Sequence, residues 1–497
     1  MIAADLLITD ALLYSGDATP PVKGGLAVKG DRIVAVGDCA EVQAAQRLDA
    51  RGMALAPGFI DAHTHDDRVL ITHPEMRPKI SQGVTTVIAG NCGVSLAPLA
   101  PDAQPPQPLS LLGDLPYWRY GCFKDYFAAL DAGPATINSA CLAGHMTLRH
   151  RVMDRTDRPA TDAEIAEMSA LLDEALADGA LGLSTGLFYP LGIEAKTSEV
   201  IELAKVARRH GAMYVTHMRN EAEGVMDSLA ETFEIGRAAD LPVVVSHHKV
   251  AGKLQHGRTA ETLPYIDQAR RSQPIGLDVY PYAAASTMLA AGRLAIADRV
   301  LVTYSTPVPE AAGRDLHELA AEWGVTPEAA VERLTPAGAV YFMMSEDDVE
   351  RILAFEGSMV GSDGIQSDGG KPHPRLWGTF PRVLGHYSRD RRLFPLETAV
   401  HKMTGLTADN FGLKDRGRLR VGAYADLTLF DPATVIDRAT YEEPELAAAG
   451  ILQVWVNGQS VWREGKATGA RPGRALRRQE LSAPLGAWRP SETTPSF

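Results

Sequence analysis

Eight short apolar runs alternate with segments of helical period between residues 55 and 412, and no feature of this 497-residue chain restricts its fold more. The runs are 54–62, 84–89, 136–144, 180–185, 212–216, 242–246, 275–279 and 358–362. Each is apolar enough to be buried on both faces, the mark of a parallel strand rather than of an antiparallel one with a wet side. Parallel strands need crossover connections, and helices supply them. One crossover is legible in detail. Thr161 and Glu164 form a capping box, Ile165, Met168, Leu171, Leu172, Ala175 and Leu176 make one apolar stripe, and Gly179 provides a left-handed stop before the fourth run. Eight βα units predict an α/β fold, a (β/α)8 TIM-like barrel over residues 55–412.

The ends have a different period. Residues 1–54 and 413–480 carry strand-like runs separated by turn residues and little helix. Both ends are expected to build one small β-sandwich domain, with the last residues as a wrapping arm or tail. After the seventh run comes an insertion at about 283–357, far longer than a βα loop of roughly 2 to 6 residues and with helical segments such as 310–323. It emerges on the face where barrels place their active sites, so a lid is expected there. The formal net charge of -13 disfavours nucleic acid and anionic membrane as partners. No leader pattern or membrane-spanning apolar stretch occurs, and the four cysteines show no CxxC spacing, which together suggest a cytoplasmic, reducing setting without a disulfide framework.

Barrel active sites lie at the C-terminal strand ends, so the residues that close each run carry the functional argument. They are His63, Thr64 and His65, then Cys92, His145, Ser184 and Thr185, His217, His247 and His248, Asp278 and Tyr280, and Asp363. His63 and His65 are two apart, and alternation along a strand lets both face the same mouth. An isolated HxH is a weak signal. With imidazole, thiolate and carboxylate candidates at other strand ends, it suits zinc, which takes nitrogen and sulfur donors and leaves a position for water in catalytic sites. A free cysteine is most often a small buried hydrophobe. Gly90, Asn91 and Gly93 around Cys92 favour a close-approach loop instead. His248 is expected to face outward beside His247, and His210 to serve a helix C-terminus.

Several stretches together resemble the N-acyl-D-amino-acid deacylase (D-aminoacylase) family of the amidohydrolase superfamily. They are PGFIDAHTH at 57–65, GNCGV at 90–94, GLSTGL at 182–187 with Tyr189, THMRNE at 216–221, SHHK at 246–249, DVYPY at 278–282, GSDG at 361–364 and HPRLWG at 373–378. Among members, the general look is nearest to N-acyl-D-glutamate deacylase. The resemblance implies that Cys92, His217 and His247 hold a tight Zn2+, and that His63, His65 and Asp363 line a second, weaker metal position. Where many amidohydrolases bridge two metals with a carboxylated lysine ending strand four, this chain has Ser184 and Thr185. Cys92 then supplies the negative ligand.

The implied reaction is hydrolysis of N-acyl-D-amino acids, a small-molecule substrate. Zinc lowers the pKa of a bound water to about 7. Asp363 is expected to take the water proton and pass it to the departing amine, which must leave protonated. Either His145 or His63 could assist at the oxyanion. Lys249, Tyr280, Ser286 and Arg375, with Tyr189, are placed by the family pattern near the substrate, and an arginine fork suits a carboxylate. Arg293, in the lid, is a candidate for an acidic D-side chain. Rival readings are a cyclic amidohydrolase of the dihydropyrimidinase or dihydroorotase kind, disfavoured by the missing lysine, and a catalytically silent binding protein, disfavoured by the complete ligand set. A deaminase would want a glutamate soon after His247, where Lys249 and Val250 stand.

Overall fold

The computed structural model describes residues 2–366 and 369–485. Its centre is the expected barrel. The parallel strands Gly182–Gly186, Met213–His217, Val243–Val245, Ile275–Val279 and Ser358–Val360 pair in that order. Phe59–Asp61, Val84–Ala89 and Asn138–Cys141 form a second parallel run. The third strand joins the two, because Asn138–Cys141 pairs with its predecessor while Ala143–Gly144 pairs with Gly182–Gly186. Closure comes where the Ala62 amide donates to the Val360 carbonyl and the Asp363 amide to the His63 carbonyl.

Side-chain alternation explains why continuous apolar runs are needed. Met213, Val215 and Val244 fill the barrel interior with Ile60, Ile88 and Leu181, whereas Tyr214, Val243 and Val245 pack outward beneath the helices. The capping box is present: the Thr161 hydroxyl accepts from the Glu164 amide at the head of helix Asp162–Asp178, and Met168, Leu172, Ala175 and Leu176 are its buried stripe.

The run at 54–62 is two strands, not one. Ala54–Pro57 pairs antiparallel with Leu427–Phe430 and parallel with Leu12 and Leu13, whereas Phe59–Asp61 opens the barrel. Gly58 separates them. A Cβ there would lie 2.2 Å from the Thr85 hydroxyl, so no larger residue lets the chain pass between layers this closely. Both chain ends contribute to one nine-stranded sheet, with the long strand Ile2–Leu13 near its centre. Its core includes Ile8, Leu26, Ile33, Leu55, Leu427 and Trp455.

The insertion is more β than its sequence suggests. Ala284–Met288, Ala337–Phe342 and Arg299–Ser305 make a three-stranded antiparallel sheet with a core of its own. Of its helices Leu316–Trp323, Pro327–Leu334 and Glu346–Ala354, the first is shorter than the expected 310–323, because the Asp315 carboxylate caps the amides of His317 and Glu318 and fixes the start. Among the described residues no helix is long and apolar enough to cross a membrane.

Candidate metal centre

The strand ends converge. Cys92, His247 and Asp363 have φ of +54°, +34° and +49°, a left-handed conformation that non-glycine residues seldom adopt. Each such residue costs roughly 1–3 kcal/mol and persists only where surrounding structure enforces it. For Cys92 the enforcement is visible in its neighbours. A Cβ on Gly90 would lie 2.2 Å from the Leu142 carbonyl oxygen, and one on Gly93 2.7 Å from the Gly186 nitrogen. The glycines thus let the loop press against strands three and four. Despite its place at a loop end, the thiol is buried.

The donor atoms fall into overlapping trios. The Cys92 Sγ lies 3.3 Å from His63 Nε2 and 3.2 Å from His247 Nε2. Asp363 Oδ1 lies 3.6 Å from His63 Nε2 and 3.2 Å from His65 Nε2. Thus His63, Cys92 and His247 form one trio, and His63, His65 and Asp363 another. His217 belongs to a third with Glu221 and His247, its ring 4.5 Å from that of His247. His63 therefore stands beside the thiol as closely as the residues expected to share it. Burial alone would push the Cys92 thiol up, but the His247 and His63 rings beside it hold it well below the usual thiol range. Among the described residues neither ring nitrogen of the buried His217 makes a hydrogen bond, an orphaned state that costs free energy unless a further partner is present. A thiolate, imidazoles and a carboxylate gathered with such orphaned donors fit a zinc ion.

Behind the donors lies a layer of charge, of which the strand ends named Asp278 but not Glu221. Glu221 sits 3.1 Å from His247 Nδ1 and 3.5 Å from His217 Nε2, and accepts from Lys249 Nζ at 2.7 Å. Asp278 lies 3.4 Å from His63 Nδ1 and accepts from the His247 amide at 3.0 Å. Carboxylates on the far nitrogen of ligand histidines fix tautomer and orientation. Their signals were present: Glu221 follows His217 by four residues, and Asp278 ends strand seven. Lys79, fully buried between Asp61 at 2.8 Å and Asp66 at 3.2 Å, has no such signal. Asp61 in turn accepts from the backbone amides of His63 and Ser362, tying strands one and eight.

Arg375 lies 2.9 Å from Asp363 Oδ2, donates to the Ser286 carbonyl, and stacks on the Tyr280 ring at 4.6 Å. Burial pushes the Asp363 carboxyl up, but Arg375 and then His65 hold it well below the usual carboxylate range. The hydroxyl of Tyr189 meets that of Thr287 at 3.1 Å, and its ring lies 4.9 Å from His217. Ser286, Tyr189, His65, Cys92 and Asp363 line one cavity. Arg293 is buried over the ring of Phe188 at 4.1 Å, itself 5.6 Å from His217, and among the described residues it makes no ion pair.

Two candidate residues take partners of their own in the structure, and one expectation needs correction. Lys249 spends its ammonium on Glu221 and His247 Nδ1, behind the donors rather than in that cavity. His145 begins helix His145–Val152 directly after its strand, which turns its ring onto Glu199 at 2.8 Å beside Arg149, not onto the metal trios. His248 does not face outward: it is fully buried, with Nε2 2.8 Å from the Thr262 hydroxyl.

The model of the Amidohydrolase family matches residues 46–263 and 275–462. A D-aminoacylase of Alcaligenes xylosoxydans xylosoxydans is 55% identical over 474 residues, 95% of this chain and 98% of the relative. An N-acyl-D-aspartate deacylase of the same organism is 53% identical over 475 residues, 95% of each chain. The crystal structure of N-acyl-D-glutamate deacylase from Bordetella bronchiseptica, complexed with zinc and a phosphonate mimic of the tetrahedral intermediate, superposes with a TM-score of 0.92 at 45% identity, covering 96% of this chain and 100% of that one. By identity, therefore, the glutamate enzyme stands below the other two.

Proposed function

The chain belongs to the amidohydrolase family, with N-acyl-D-amino-acid deacylases as close relatives, and on that premise we propose that it is a zinc-dependent deacylase preferring acidic N-acyl-D-amino acids. The observation that carries the reading is the donor cluster at the barrel mouth with Asp363 held between His65 and Arg375. Cys92, His217, His247 and His63 are the residues that would hold the tight ion, and His63, His65 and Asp363 a second, weaker one. Bound there, zinc supplies Lewis acidity and an acidified water.

The chain's own residues do the rest. Asp363, ionised beside Arg375, accepts the proton of the attacking water and returns it to the amine as the C–N bond breaks. Arg375, beside Asp363 and over the Tyr280 ring, is the cation for the substrate α-carboxylate, and Ser286 lines the cavity with Asp363. Glu221 and Asp278 hold the histidine rings in place. The oxyanion is left to the metal position, since both ring nitrogens of His63 face donors or Asp278 and His145 is engaged with Glu199. The test is amine release from paired D and L N-acetyl derivatives of aspartate, glutamate and leucine, with the zinc content of the protein measured. Release from D members is expected; its absence on every D substrate with metal bound overturns the reading.

Arg293 carries the acidic preference. A buried guanidinium stacked on Phe188 beside His217 has no carboxylate partner among the described residues, and a substrate side-chain carboxylate would complete it. A hydrogen bond to a charged group contributes about 1.5–3 kcal/mol, so Arg293→Ala is expected to lower the ratio of kcat/KM for N-acetyl-D-aspartate or D-glutamate over N-acetyl-D-leucine by about 10- to 100-fold. An unchanged ratio removes the preference from the proposal.

A further inference from the structure

Resting on the deacylase reading, we propose that Lys79 and Ser362 are positioning residues for the proton transfer, holding Asp363 in its strained backbone at the seam where the barrel closes. Asp363 stands at φ +49° between Ser362 and Gly364. Such a conformation persists only where its surroundings enforce it. Here both neighbours are pinned. The Ser362 amide donates to Asp61 Oδ1 at 2.7 Å. The Ser362 hydroxyl accepts from Lys79 Nζ at 2.9 Å and from the Gly364 amide at 3.1 Å, and it directs its proton at the His63 carbonyl 3.5 Å away. A hydroxyl has one donor and two acceptor sites, so this one is fully used. The Gly364 carbonyl accepts from the His65 amide, and the Asp363 amide donates to the His63 carbonyl. The peptides on both sides of Asp363 are thereby fixed to strand one.

Lys79 makes that hydroxyl a fixed point. It lies in the short helix Arg77–Ile80 of the connection after strand one, and its Nζ also donates to Asp61 Oδ2 at 2.8 Å and stands 3.2 Å from Asp66. Burial would lower the ammonium, but Asp61 and Asp66 hold it above its usual range, so the charge persists. An ion pair this deep contributes little net stability, since desolvation offsets the attraction. Its value lies in placement. Elsewhere in the barrel, as between Val243–Val245 and Ile275–Val279, neighbouring strands close through backbone ladders between apolar side chains. The charged tie stands beside Asp363, where the place of one carboxylate decides a proton transfer. A displacement of about 1 Å there can cost about 10^2-fold in rate.

The experiment measures kcat and KM for the N-acetyl derivatives of D-aspartate, D-glutamate and D-leucine, and zinc content, with zinc-loaded wild type, Ser362→Ala, Lys79→Met, their double variant and Asp66→Asn. Ser362→Ala and Lys79→Met are each expected to lose about 10- to 100-fold in kcat by the same factor on every substrate, with KM within about twofold and the tightly held zinc kept. The double variant should lose no more than Lys79→Met alone, because both act through one hydroxyl. Asp66→Asn removes a Lys79 contact that does not reach strand eight and should keep the wild-type kcat. If Lys79→Met does not fold, Ser362→Ala carries the test, with faster hydrogen exchange at the Gly364 amide expected beside its loss of kcat. A Ser362→Ala kcat within about twofold of wild type, losses that multiply in the double variant, an equal loss in Asp66→Asn, or zinc lost in step with kcat overturns the positioning role and leaves the deacylase reading standing. A wild type that releases no amine from any of the three overturns both.

Discussion

Cys92→Ala is expected to lose its tightly held zinc and at least about 10^3-fold in kcat/KM together, since Lewis-acid stabilisation is worth several kcal/mol and each 1.36 kcal/mol is a factor of ten. Three features make the effect large. The thiol is held well below its usual range by His247 and His63, so it offers negative charge at neutral pH. It touches both of those rings, so its removal separates the trio rather than trimming an edge. And no carboxylated lysine stands at the end of strand four to replace it, where the chain has Ser184 and Thr185. Cys39, partly exposed in the terminal sheet, serves as the control, and Cys39→Ala should keep metal and rate. The check is zinc content by elemental analysis beside the release assay. A Cys92→Ala protein with a full complement of zinc would show that the thiol is not a ligand.

Asp363→Asn should separate the metal from the proton. General acid–base catalysis contributes about 10^2- to 10^4-fold, and a loss of that size in kcat is expected while the zinc held by Cys92 and its histidine partners remains. Asparagine suits the test for two reasons. It tolerates the left-handed backbone at φ +49°, and it keeps an oxygen near Arg375, whereas alanine leaves a buried guanidinium unpaired at a cost of about 3–5 kcal/mol. The sign with pH follows. Because the folded carboxyl is depressed, the ionised form contributes stability that is present above the ordinary carboxylate range and is lost as pH falls through the folded value. The asparagine variant should therefore show a flatter acid limb of unfolding than wild type. Retained kcat would assign the proton transfer to another group.

Much of the barrel was legible because its signal is a local period. Val243–Val245 and Ile275–Val279 lie inside runs read directly from apolar residues. The split at Gly58 was not, since the residues on either side are equally apolar and only their partners differ: Leu427–Phe430 for one, Val84–Ala89 for the other. The insertion's sheet was hidden for a related reason. Ala284–Met288 and Ala337–Phe342 lie about fifty residues apart and pair by register, which no local window contains. At the site, residues that end strands were findable because the fold places them. For Lys249 and His145, a position near the mouth does not say which neighbour a side chain takes, and in the structure they pair with Glu221 and Glu199. Arg293 needed the stacking of its guanidinium on Phe188 to become more than one charge in a long loop.

The junction at Gly58 bears on how such chains recombine. Ala54–Pro57 takes its register from Leu12, Leu13 and the strand at Leu427–Phe430, and the barrel begins one glycine later with partners of its own. A crossover within this stretch would join a strand registered by one parent's ends to a barrel registered by the other's. Natural shuffling or a laboratory chimaera that treats the sheet as a detachable cassette cuts where two registers meet, and so inherits neither.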